Sequence, residues 1–145
     1  MSLWAILPVK PFKQGKTRLA GVLSEDERYI LNLTMLGNTL TALQQAKGIN
    51  QILVVSPDSG VLAMSRDFGA RTLQEDSPTN LNHAVTLGVR FALAGMANWI
   101  MVLPADLPLL EANLIQDLLA RKNGANQMII VPDRKDDGTN GLLLN

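Results

Sequence analysis

The sequence predicts an α/β fold with a mostly parallel sheet covered by helices on both faces. Two observations lead there: short apolar runs alternate with stretches of helical period along the whole chain, and no internal repeat or low-complexity tract interrupts them. A third sets the scale. With 145 residues, 47% hydrophobic and 18% charged, the chain suits one compact domain over residues 1–145 with a real core.

The elements follow in order. Leu3 to Val9 reads as the first strand. Ser24 can cap a helix whose third following residue is Glu27, a capping-box pattern, and the helix then buries Ile30, Leu33, Leu36, Leu40 and Leu43. Gln51 to Ser56 is the second strand, a weaker helix spans Val61 to Phe68 and stops at Gly69, and Ala70 to Leu73 is the third strand. Leu81, Ala84, Val85, Gly88, Phe91 and Ala92 keep a helical period. Trp99 to Pro104 is a strand, Leu114, Ile115, Leu118 and Leu119 mark a helix, and Gln127 to Val131 is a further strand. Gly141 to Leu144 reads as the start of a sixth, with nothing after it to cover it. Truncation of the domain is the expectation there, and completion by a neighbouring chain is the alternative. Trp4 and Trp99 are assigned to core strands, and Met35, Met64, Met96, Met101 and Met128 to core filling.

Charge and composition exclude several classes. Thirteen basic residues balance 13 acidic ones, so no global field for nucleic acid exists. Without cysteine there is no disulfide framework, thiolate zinc site or cysteine nucleophile, and the single His83 has no partner for a histidine-rich metal site. His83 is read as a surface or capping residue and not as a base. No targeting pattern and no apolar run of membrane-spanning length is visible, so a cytoplasmic protein is expected.

Asp106 is the most informative acid. It follows the apolar run Trp99 to Pro104, and a strand that ends in a carboxylate points it into the crevice where open α/β sheets bind ligands. Alone, it reads equally as a turn or cap acid beside Pro108. Its weight grows from the first strand, which runs into a loop carrying Lys10, Lys13, Lys16 and Arg18 with no acid before Glu25. A metal-binding acid facing several cations suggests a nucleoside triphosphate site. Gly15-Lys16-Thr17 imitates the end of a P-loop, but Lys10 stands where that motif needs its first glycine, and Pro11 and Phe12 are bulky where a phosphate cradle needs small residues. No Gly-x-Gly-x-x-Gly follows the strand either, so a Rossmann dinucleotide site is equally unsupported. A solvated cationic loop is the structural alternative.

Several segments together carry a resemblance. Pro8-Val9-Lys10 through Lys16-Thr17-Arg18-Leu19, Val54-Val55-Ser56-Pro57-Asp58, Leu81-Asn82, Leu103-Pro104-Ala105-Asp106-Leu107-Pro108 and Gly138-Thr139-Asn140 occur in the order of a known family. The chain resembles the phospholactate or phosphoenolpyruvate guanylyltransferases of coenzyme F-420 biosynthesis, relatives of the molybdenum-cofactor guanylyltransferases. The resemblance spans essentially the whole chain. It implies a glycosyltransferase-A-like (nucleotide-diphospho-sugar transferase) three-layer fold that binds GTP with Mg²⁺, joins GMP to a phosphorylated three-carbon acid and releases pyrophosphate. Phospholactate, phosphoenolpyruvate and phosphoglycerate all remain open as the acid.

The resemblance also implies roles. Asp106 would hold the metal, Lys16 and Arg18 would meet the triphosphate with Lys10 and Lys13 in support, and Asn82 would lie near the nucleotide or else cap a helix. Thr139 falls where the family holds its acceptor, or in an ordinary hairpin-like turn, and Asp133 is a further metal candidate. Asn80-Leu81-Asn82 stands where the family has Gly-Leu-Asn, and the family's later glycine-rich segment and later acid are not in this sequence. Two other readings stand beside this one: a nucleotidyltransferase of the same fold acting on a sugar phosphate or molybdopterin, and a non-catalytic nucleotide-binding or assembly domain. A homodimer is expected from the family and from the uncovered last strand.

Overall fold

The computed structural model describes residues 2–11, 21–76, 80–105, 111–122, 128–132 and 139–144. They form β1 (Leu3–Pro8), α1 (Glu25–Gln45), β2 (Gln51–Ser56), α2 (Ser59–Asp67), β3 (Arg71–Gln74), α3 (Leu81–Ala94), β4 (Trp99–Val102), α4 (Ala112–Leu119), β5 (Met128–Pro132) and β6 (Thr139–Leu144). One six-stranded sheet runs in the order β3-β2-β1-β4-β6-β5. Strands β1 to β4 are parallel, and β6 is antiparallel to both β4 and β5.

Strands β1, β2 and β4 are apolar on both faces because both faces are covered. Leu3, Ala5, Leu7, Val54, Met101 and Leu143 face the layer of α1, α2 and α4, with Leu36, Leu40, Leu43, Val61, Leu62, Ile115 and Leu119 packed among them. Trp4, Ile6, Leu53, Val55 and Ile100 turn to the other side, where Ala84 and Ala92 of α3 meet them. Three layers result. A Cβ on Gly88 would lie 2.7 Å from Ile6 Cγ2, so the bare glycine sets how closely α3 approaches the sheet.

Helix ends obey local chemistry. The capping box forms as expected: Glu27 N–H donates to Ser24 Oγ at 3.1 Å, and Ser24 N–H donates to Glu27 Oε1 at 2.9 Å. Gly69, at φ +85°, ends α2 in a left-handed turn in which Gly69 N–H meets Arg66 O and Ala70 N–H meets Ser65 O. At the end of α3 the same bond pair recurs, but the left-handed residue is Met96, at φ 65°. Gly95 stands one residue earlier because a Cβ there would lie 2.5 Å from Trp4 Cζ2.

Some expectations needed correction. Ile30, Leu81, Leu114 and Phe91 are exposed, and Met96 and Met128 are 81% and 62% exposed instead of filling the core. Helical period alone makes the apolar stripe too wide, and it cannot see that Met96 sits in a turn. Strand β6 begins at Thr139, not Gly141, and it lies between β4 and β5. Its backbone is paired on both sides, so the last strand gives no argument for a dimer.

Candidate active site

The order of the sheet reverses between β1 and β4: from β1 the chain goes to β2 and β3 on one side, then crosses to β4 on the other. Open α/β sheets bind ligands outside the carboxyl ends of the strands at such a point. Adjacent parallel strands lie about 4.8 Å apart, so the segments leaving β1 and β4 start as neighbours. Val9 N–H still pairs with Val55 O at 2.9 Å before exposed Lys10, and Leu103 N–H pairs with Ile6 O at 3.1 Å before Pro104 and Ala105. The Thr39 hydroxyl of α1 reaches Ala105 O at 3.4 Å, tying down the residue that precedes Asp106.

Strand β6 enters the sheet from the same rim. Val102 is opposite Leu142, so Gly141, Asn140 and Thr139 extend beyond β4 toward the carboxyl rim. Thr139 therefore opens β6 beside the lead-in to Asp106. Lys13, Lys16, Arg18, Asp106 and Asp133 themselves lie outside the described residues. The structure brings together what flanks them: the end of β1, the end of β4 and the start of β6.

Asn82 is on the carboxyl rim, exposed, in the first turn of α3. It is not the cap. Asn80 takes that role, accepting from Asn82 N–H at 2.9 Å and His83 N–H at 3.3 Å. Asparagine and glycine are both good residues at this position, so Asn80 in place of the family's glycine keeps the helix start intact. His83 has the capping contact expected of it, and its ring is 55% exposed. Asp58 caps α2 through Gly60 N–H at 2.8 Å.

The sequence reading missed Glu75. Its N–H donates to Ser56 O at 3.1 Å, continuing the β3 register, and its side chain is fully buried. Among the described residues neither carboxylate oxygen meets a hydrogen-bond donor, and His83 Nδ1 lies 3.7 Å from Oε2. Burial pushes this carboxyl above its usual range, and the imidazole beside it opposes that shift. The signal was present in the sequence, since Glu75 is an acid directly after the strand Arg71–Gln74.

Among the described residues no three His, Cys, Asp or Glu side chains group as a metal site, and the proposed ligand Asp106 lies outside them. No described helix is long and apolar enough to cross a membrane. An open groove of about 460 Å³ lies between α1 and α4, lined by Asn38, Thr41, Gln45, Glu111 and Asn113 among others. Of the described candidate residues, neither Lys10 nor Asn82 lines it.

A family model described as guanylyl transferase CofC like matches residues 3–145. The chain belongs to that family. This CofC-like chain is 39% identical over 145 residues to the phosphoenolpyruvate guanylyltransferase of Conexibacter woesei, covering 99% of the chain and 65% of that protein. It is 30% identical over 142 residues to the 2-phospho-L-lactate guanylyltransferase of Methanobrevibacter smithii, covering 98% and 61%. The chain thus spans less than two thirds of the length of these relatives. The CofC-like fold also superposes on a cytidylyltransferase from Leptospira borgpetersenii with a TM-score of 0.66 at 13% identity, covering 100% of this chain and 60% of that one. The nucleotidyltransferase fold expected from the sequence is the fold found.

Proposed function

We propose that this chain acts as a guanylyltransferase that moves GMP from GTP to a phosphorylated three-carbon acid in coenzyme F-420 biosynthesis. The observation that carries the reading is the switch point: the segments leading to the basic loop and to Asp106 leave the carboxyl ends of adjacent strands β1 and β4. Family membership supports it, and two relatives are named for phosphoenolpyruvate and 2-phospho-L-lactate.

The chemistry asks little of the protein in proton transfer. An acceptor phosphate is anionic at neutral pH, and one of its oxygens attacks the α-phosphorus of GTP. A new P–O bond forms as the bond from the α-phosphorus to the α,β-bridging oxygen breaks, and pyrophosphate leaves with that electron pair. The site must align the two phosphates and neutralise their charge. Lys16 and Arg18 take the triphosphate in this reading, with Lys10 at the exit of β1 adding positive charge, and Thr139 meets the acceptor. Asp106 would hold Mg²⁺, which supplies charge neutralisation on the phosphate oxygens when bound.

The test is pyrophosphate release from GTP and Mg²⁺ with phosphoenolpyruvate, 2-phospho-L-lactate, 3-phosphoglycerate, a sugar phosphate or no acceptor. Release with one of the three acids and with nothing else is expected. Turnover on the sugar phosphate alone would move the protein to another acceptor class. GTP binding without release on any acceptor would leave a nucleotide-binding domain.

A further inference from the structure

Among the described residues Glu75 has both carboxylate oxygens buried without a hydrogen-bond partner. A buried carboxylate with no donor on either oxygen is costly, and a ligand that brings donors to it removes that cost. It stands at the carboxyl end of β3, on the ligand rim, under the first turn of α3. We propose that the Glu75 carboxylate reads the nucleobase, its two oxygens accepting the N1–H and exocyclic N2–H of guanine. The inference rests on the nucleotide site proposed above and adds what selects its base.

The match is one of donors to acceptors. Guanine offers two adjacent N–H donors on that edge, and an ionised carboxylate is acceptor-only with two oxygens side by side. Adenine offers a lone pair at N1 where guanine has N–H, which would face a carboxylate oxygen with repulsion. In the free protein the neighbour is His83, 3.7 Å away with a ring more than half exposed. An exposed side chain changes rotamer in picoseconds to nanoseconds, so His83 can swing into solvent as the base arrives. The base then supplies the two donors that Glu75 lacks.

Calorimetric titration of GTP, ITP and ATP into the chain tests this. Inosine keeps N1–H and lacks the N2 amine, so wild type should bind GTP about tenfold to a hundredfold more tightly than ITP, and ATP more weakly again. Glu75→Gln should erase the GTP over ITP preference and gain affinity for ATP, because its amide can pair with adenine N1 and N6. Exposed His83→Gln should keep the wild-type order. Wild type binding GTP and ITP equally would overturn the proposal without any variant. If Glu75→Gln and His83→Gln lose GTP affinity together with the GTP:ITP ratio intact, Glu75 merely positions His83 and the proposal is wrong while the nucleotide site stands. Failure of wild type to bind any triphosphate would remove both.

Discussion

The two rims of the sheet are built on opposite principles. At the amino rim the described starts of β1, β2 and β4 are tied by bonds between distant parts of the chain. Leu3 N–H donates to Asn50 Oδ1 at 2.7 Å and Ser2 N–H to Asn98 Oδ1 at 2.9 Å, while Asn50 and Asn98 return N–H bonds to Leu3 O and Ser2 O. Arg71 lies over the Trp4 and Phe91 rings at 5.3 and 5.9 Å. At the carboxyl rim the described polar side chains mostly cap their own helices, as Asp58 and Asn80 do, and Glu75 has no hydrogen-bond donor among the described residues. One rim uses its polar groups to hold strands in register; the other uses them to start helices and leaves the Glu75 carboxylate without a donor among the described residues.

This contrast predicts that damage at the two rims separates into lost activity and lost stability. The largest effect belongs to Asp106. If it holds the metal at the phosphates, Asp106→Asn should slow GMP transfer by roughly 100-fold or more while the melting temperature stays within a degree or two. A melting temperature that falls together with the rate would make Asp106 a structural turn acid. Next comes Gly95→Ala at the amino rim, whose new Cβ would meet the Trp4 ring at 2.5 Å. Overpacking of this kind costs about 1–3 kcal/mol, read by urea unfolding, and GTP affinity should not change.

Met96→Gly is smaller and of opposite sign. Met96 holds a left-handed backbone at φ 65° with its side chain 81% exposed, so glycine should relieve strain and give up little packing. A gain of about 1 kcal/mol is expected, and a loss would mean that its side chain packs in solution. The smallest effect is at Glu75 and depends on pH. Its folded carboxyl is shifted above the ordinary 4.5, so its unfavourable contribution is present when it is ionised, above the folded value. As pH falls through that value the native state takes up the proton and the penalty is relieved. Glu75→Gln should therefore be as stable as wild type or more so at neutral pH, with the difference vanishing as pH approaches 4.5. Destabilisation at pH 7 would show that the carboxylate has a structural partner.

The same contrast explains what could be read in the sequence. Strand positions and the capping box were legible because buried strands and helix starts are set by neighbouring residues: Leu3 to Leu7 and Ser24 with Glu27 carry their own signals. A candidate site was read from the order of motifs, and Asp106 was singled out because an acid after an apolar strand is conspicuous; it lies outside the described residues. Glu75 obeys the same rule after a shorter, more polar strand, Arg71–Gln74, and was missed for that reason. The placement of β6 between β4 and β5 was not legible either, since antiparallel insertion depends on which edge is free, a property of the assembled sheet.

The central claim, that the carboxyl rim is where nucleotide binds, is tested most directly by amide chemical-shift mapping of GTP onto the isotope-labelled chain. Shifts should concentrate at Lys10, Ser56, Glu75, Asn82 and Ala105, with Ser2, Asn50 and Asn98 unmoved. Shifts gathered at Asn38, Thr41 and Gln45 in the groove between α1 and α4, with the carboxyl rim silent, would contradict it.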